Sequence, residues 1–80
     1  MSNHTIVVYS TPSCPYCHMV KQYLQTNHLP FTDYNVAEDQ IKAQEMIQKS
    51  GQMGVPVIDI DGSIMVGFDR VALAQALEIK

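Results

Sequence analysis

Ile6-Val7-Val8-Tyr9-Ser10-Thr11-Pro12-Ser13-Cys14-Pro15-Tyr16-Cys17 is the stretch that decides how the chain is read. Its first four residues are β-branched or aromatic, with no polar alternation. That pattern predicts a strand covered on both faces, and hence a central one. Ser10-Thr11-Pro12-Ser13 breaks the run. Pro15 then suits the first position of a helix, where its missing N–H costs nothing. Cys14 and Cys17 are the only two cysteines. They fall at the mouth of that helix and one turn inside it. A cysteine at a helix start gains from unpaired backbone N–H groups and the positive end of the dipole. Two thiols so placed can close into a small disulfide and reopen, exchanging electrons with another disulfide. Their unequal access assigns roles: Cys14 attacks and Cys17 resolves, while Pro15 stiffens the turn between them.

Downstream, Tyr16, Met19, Val20, Tyr23 and Leu24 recur at helical spacing, with Lys21, Gln22 and Gln25 on the other side. The helix should end near Asn27-His28, before Pro30. Phe31 to Val36 reads as a second strand, parallel to the first through a right-handed crossover. A second helix should run from about Glu38-Asp39 to Ser50, with Gly51 as its stop and Ala43, Met46, Ile47 and Ser50 facing inward. Val57 to Ile60 and Ser63 to Val66 flank Asp61-Gly62, a signal for a two-residue type I′ hairpin. Asp69 suits the N-cap of a last helix whose apolar stripe is Val71, Leu73, Ala74 and Leu77. The order is β-α-β-α-β-β-α: one α/β domain over residues 1–80, with three helices packed on a four-stranded mixed sheet.

Composition excludes several classes. The net charge of −3 comes with only five lysines and arginines, too few for the clustered basic face that nucleic acid requires. No apolar run approaches membrane-spanning length. The N-terminus lacks the basic and apolar regions of a signal peptide, so a cytoplasmic location is expected. A disulfide this short would staple only a tiny loop, which argues against a purely structural role in a reducing compartment. Cys-x-x-Cys is also half of a zinc site, but there is no second pair, and His4, His18 and His28 show no paired spacing. No metal is expected. His18 reads as a solvent-facing helix residue. Tyr16 reads either as partly buried against its loop or as an exposed contact for substrate.

Tyr9 to Cys17 resembles the active-site segment of glutaredoxins, whose usual dithiol motif is this Cys-Pro-Tyr-Cys. Gly54-Val55-Pro56 and Gly67-Phe68-Asp69 lie where glutaredoxins carry Thr-Val-Pro and Gly-Gly-Cys-Asp. The resemblance runs in order over almost the whole chain. Numbering the strands Ile6–Tyr9, Phe31–Val36, Val57–Ile60 and Ser63–Val66 as β1 to β4, it implies a thioredoxin fold with sheet order β2-β1-β3-β4, the last strand pair antiparallel to the first. It implies a cis peptide at Val55-Pro56, where base rates alone would favour trans. Val55 would then offer its backbone N–H and C=O to a substrate cysteine in a short β-like pairing.

The resemblance also implies a dithiol thiol–disulfide oxidoreductase that reduces protein or glutathione mixed disulfides. Its site would comprise Cys14 and Cys17 with Thr11, Pro15, Tyr16, Gln52, Val55, Pro56, Gly67, Phe68 and Asp69. Glutathione-using members carry cations where this chain has Thr11 and Gln52. Asp69 keeps a position that helps bind the glutamyl ammonium, although capping the last helix suits it equally. Phe68 would add apolar surface beside the site. The Gly-Phe pair is similar to small bacterial glutaredoxin-like proteins, some of which take electrons from a flavin-dependent thioredoxin reductase and deliver them to ribonucleotide reductase. The expected partners are therefore disulfide-containing proteins, with glutathione or thioredoxin reductase as electron donor. No tightly bound cofactor is expected, glutathione being a reducing co-substrate, and the chain should act as a monomer. The alternatives are the ribonucleotide reductase donor, a non-enzymatic iron–sulfur cluster carrier and a redox-sensing module.

Overall fold

The computed structural model describes residues 4–77. The elements are β1 (Ile6–Ser10), α1 (Pro15–Thr26), β2 (Thr32–Asn35), α2 (Gln40–Ser50), β3 (Val57–Ile60), β4 (Ser63–Val66) and α3 (Arg70–Ala76). They form one four-stranded sheet in the order β2-β1-β3-β4. This is the thioredoxin fold that the sequence led us to expect. β1 pairs in parallel with β2 and antiparallel with β3. β4 is the hairpin partner of β3 and turns back into the direction of β1. The expected opposition of the last pair to the first therefore holds for β3 alone, because an antiparallel hairpin must reverse its second strand.

β1 is central, and its side chains alternate between two cores. Ile6 and Val8 join Val20 and Leu24 of α1, Ile58 and Ile60 of β3, and Leu73 and Leu77. Tyr9 joins Met46 of α2 and Val57 on the other face. Val8, Val20, Leu24, Ile58 and Leu73 are wholly buried. Each such side chain contributes about 1.5–3 kcal/mol on burial, so these few residues outweigh any surface pairing. Ser10, expected to break the strand, is its last residue and is itself buried.

The helices begin and end where local chemistry dictates. Cys14, Asp39 and Asp69 are the three N-caps, each side chain accepting the N–H three residues on. The second helix starts at Gln40, so Glu38 and Asp39 precede it instead of occupying its first turn. Gly51 closes it at φ 75°, a left-handed conformation that glycine adopts without a Cβ penalty. The hairpin has positive φ at both Asp61 and Gly62, as a type I′ turn requires. β2 is shorter than Phe31 to Val36: Phe31 packs on the first core and Val36 on the second.

Two apolar stripes and one polar assignment need correction. Tyr16 and Met19 are 60% and 46% exposed, and Cys17 takes the inward place between them. Val71 is 67% exposed, because the inward face of α3 passes through Leu73 and Ala76 to Leu77. Lys21, assigned to the solvent side, instead reaches the sheet, where its ammonium meets Ser10 and Asp33.

Candidate active site

β1 delivers the chain through Thr11, Pro12 and Ser13 to the mouth of α1. The backbone N–H of Cys14 donates to Thr11 O at 3.4 Å, which closes that turn. Cys14 is in extended conformation, φ −93° and ψ 112°, and its Sγ accepts the backbone N–H of Cys17 at 3.2 Å. The sulfur thus occupies the place that a serine or aspartate oxygen holds in an ordinary N-cap. Pro15 follows at the first helical position, as expected.

The two cysteines are free and unequal: Cys14 is half-buried, whereas Cys17 is 0% exposed. Burial pushes the Cys17 thiol up to about 11, and its hydrogen bond with Cys14 pushes the same way. The Thr11 backbone and the Lys21 charge pull it down, but more weakly. Near neutral pH Cys17 is a protonated thiol beneath an accessible Cys14.

Val55-Pro56 is cis. The Val55 carbonyl oxygen lies 3.9 Å from Cys14 Sγ. Pro56 is buried, and its carbonyl accepts the Gly67 N–H at 2.8 Å, which ties this turn to the end of β4. Gly67 has φ 80°, so a side chain there would be strained although space is open. The structure therefore brings Cys14, Cys17, Thr11, Val55, Pro56 and Gly67 into one locality.

The remaining rim residues divide. Tyr16 stands exposed beside Cys14 in sequence and is not buried against its loop. Gln52 is closed on its own loop: its Nε2 donates to Gly54 O at 2.9 Å and its Oε1 accepts Gly54 N–H at 2.8 Å. A Cβ on residue 54 would lie 2.7 Å from that Oε1, so glycine is what admits the clasp. Phe68 is partly buried beside Gly67. It packs on the first core and meets Tyr23 edge-on, with centroids 6.3 Å apart. Asp69 caps α3, with Oδ1 accepting Ala72 N–H at 3.1 Å. His18 is exposed, as read, but its Nε2 donates to Pro12 O at 2.8 Å, which fixes the proton on that nitrogen.

Sequence reasoning missed Ser10, Lys21 and Asp33. Ser10 Oγ donates to Asp33 Oδ1 at 2.6 Å. Lys21 Nζ donates to Ser10 Oγ at 3.2 Å and to Asp33 Oδ2 at 2.9 Å. Lys21 lies four residues after Cys17, a spacing that places two side chains on one helix face. That signal was present, but its partners become visible only with the β1–β2 register, which sets Asp33 opposite Val8. Among the described residues, no group of three or more His, Cys, Asp or Glu side chains is arranged to hold a metal. No helix among them is long and apolar enough to cross a membrane.

A Cys-x-x-Cys pair at the first helix mouth of this fold, facing a cis Val-Pro turn, defines a thioredoxin-like thiol–disulfide oxidoreductase. The comparisons narrow the class. The Glutaredoxin family model matches residues 6–65, and the chain belongs to the glutaredoxin family. It is 47% identical over 73 residues to an uncharacterized glutaredoxin-like 8.6 kDa protein in the rubredoxin operon of Clostridium pasteurianum, covering 91% of this chain and 97% of that protein. It is 34% identical over 64 residues to glutaredoxin 3 of Escherichia coli K12, covering 80% and 77%. Among solved structures, a variant of the thioredoxin-like protein BC3987 superposes with TM-score 0.89 at 30% identity, covering all of both chains. A glutaredoxin from Archaeoglobus fulgidus shares the fold at TM-score 0.84 and 17% identity, over 90% of this chain and 84% of that one.

Proposed function

We propose that this protein is a dithiol oxidoreductase that reduces protein or glutathione mixed disulfides by Cys14 attack and Cys17 resolution. The observation that carries this reading is the asymmetry of the pair. Cys14 is reachable and receives a helix N–H on its sulfur, whereas Cys17 is buried directly behind it. The Cys14 thiolate attacks one sulfur of a substrate disulfide, forms a mixed disulfide and expels the other sulfur as a thiolate. Cys17 gives up its proton and attacks Cys14 Sγ. The second substrate sulfur leaves as a thiolate, and the Cys14–Cys17 disulfide holds the two electrons' worth of oxidation. Two reducing equivalents from a thiol donor then restore both thiols. The Val55 backbone beside Cys14 Sγ supports a role in aligning the substrate cysteine.

Two donors fit the site. Glutathione fits the Cys-Pro-Tyr-Cys motif and the exposed Asp69 carboxylate, a partner for its ammonium group. A flavin-dependent thioredoxin reductase fits the neutral rim, because Thr11 carries no charge and the Gln52 amide is spent on Gly54. Steady-state reduction of insulin and of hydroxyethyl disulfide, each driven in turn by glutathione with its reductase and by thioredoxin reductase, tests both parts. Turnover with at least one donor, lost in Cys14→Ser, is the expected result. Undiminished turnover in Cys14→Ser would overturn the reading.

A further inference from the structure

The resolving step demands something that the pair does not itself supply. Cys17 has no exposed surface, yet it must become a thiolate within the mixed disulfide. Once Cys14 is bonded to substrate, its sulfur no longer holds the Cys17 proton. Burial still opposes the charge, and the favourable influences left are the Thr11 backbone and Lys21.

Lys21 is placed to act. It follows Cys17 by four residues on α1, so the two side chains share a helix face. Its ammonium is anchored at 3.2 Å to Ser10 Oγ and 2.9 Å to Asp33 Oδ2, and Ser10 and Asp33 are joined at 2.6 Å. Ser10 is 2% exposed at the end of β1. A lysine held this way is restrained: its side chain is 20% exposed, and its ammonium is tied to the end of β1, one residue before Thr11. Other charges near the site are engaged elsewhere. The His18 ring is bound to Pro12 O, Asp69 caps α3, and Asp59 of β3 pairs with Lys49 on the α2 side of the sheet.

We propose that Lys21, clamped to β1 and β2 by Ser10 and Asp33, stabilises the Cys17 thiolate and so sets the rate of resolution. It is a positioning residue that acts through Cys17 and touches no substrate. The step is Cys17-S⁻ displacing the substrate thiolate from Cys14 Sγ, with the Cys17 proton passing to solvent. Asp33 is half of the same device: it orients the ammonium while partly offsetting its charge.

The proposal rests on the dithiol reading above, and one experiment separates them. The reduced protein is mixed with dithiodipyridine, an uncharged disulfide whose thiopyridone product is followed by absorbance in a stopped-flow instrument. Cys14 attack releases one equivalent, and Cys17 resolution releases the second. Cys17→Ser identifies the second phase by abolishing it. If neither phase depends on Cys14, the dithiol reading fails. If both phases are present, Lys21→Met should leave the first phase unchanged and move the pH profile of the second upward, because the Lys21 charge opposes protonation of Cys17. Higher basicity also raises thiolate nucleophilicity, so the second phase at neutral pH should slow by less than the loss of thiolate alone would give. Lys21→Arg should restore the profile. A second phase with the wild-type pH profile in Lys21→Met would overturn the proposal. So would a Lys21→Arg variant that folds as wild type but shows the profile of Lys21→Met.

Discussion

The backbone N–H of Cys17 points at Cys14 Sγ from 3.2 Å, while the sulfur of Cys17 is shut away from solvent. One residue thus serves the nucleophile with its backbone and waits with its side chain. The arrangement follows from helix geometry. A cap at Cys14 draws in the N–H three residues later, and the same residue, one turn on, faces the core.

Alkylation should reveal this asymmetry. Brief iodoacetamide treatment of the reduced, native protein near neutral pH should add one group, on Cys14. Cys17 should react only after denaturation, because burial holds its thiol up at about 11. Peptide mass spectrometry checks this, and equal labelling of both cysteines in the native protein would contradict it.

The opposite face of the sheet predicts an acid limit to stability. The Tyr9 hydroxyl donates to Glu45 Oε2, and this bond, with Lys42 nearby, holds the Glu45 carboxyl below its ordinary range. A depressed carboxylate stabilises the fold above its unfolded value, about 4.3, and loses that contribution as pH falls through the folded value. Urea midpoints measured from neutral pH downward should therefore drop on the acid side of that value. Glu45→Gln should lower stability near neutral pH and flatten the acid drop. An unchanged slope would show that Glu45 is not linked to folding.

Asp69 has a demonstrated structural duty and a proposed binding one, and Asn separates them. Asparagine caps a helix nearly as well as aspartate, whereas alanine costs about 1 kcal/mol. Asp69→Asn should keep the wild-type melting temperature and raise the KM for glutathione, while Asp69→Ala should lower the melting temperature too. A lysine at Thr11 should act in the opposite sense and lower that KM about fivefold, the size of a good exposed ion pair. If neither Asp69→Asn nor Thr11→Lys changes the glutathione KM, these rim positions do not govern donor choice.

The fold was legible because its signals are local. Ile6 to Tyr9 announced a central strand, Asp61-Gly62 a hairpin, and Asp69 a cap. The site core was legible for the same reason: Cys14, Pro15 and Cys17 are neighbours in sequence. Other features depend on residues distant in sequence. Lys21 looked like a solvent-facing helix residue until the β1–β2 register brought Ser10 and Asp33 beneath it. Phe68 was read as a rim residue, and its ring also meets Tyr23 of α1, which the sequence did not show. Gln52 was read as a neutral residue at a position where glutathione-using relatives carry a cation, and Gly54, two residues on, takes both ends of its amide. In each case composition was read correctly, and a partner invisible to periodicity decided where the side chain went.

The central claim is that Cys14 attacks and Cys17 resolves. Trapping the intermediate tests it most directly. Cys17→Ser incubated with hydroxyethyl disulfide should accumulate a single mixed disulfide, seen by intact mass and mapped to Cys14, whereas Cys14→Ser should remain unmodified over the same time. An adduct on Cys17 in Cys14→Ser, formed as fast as the one on Cys14, would contradict the account.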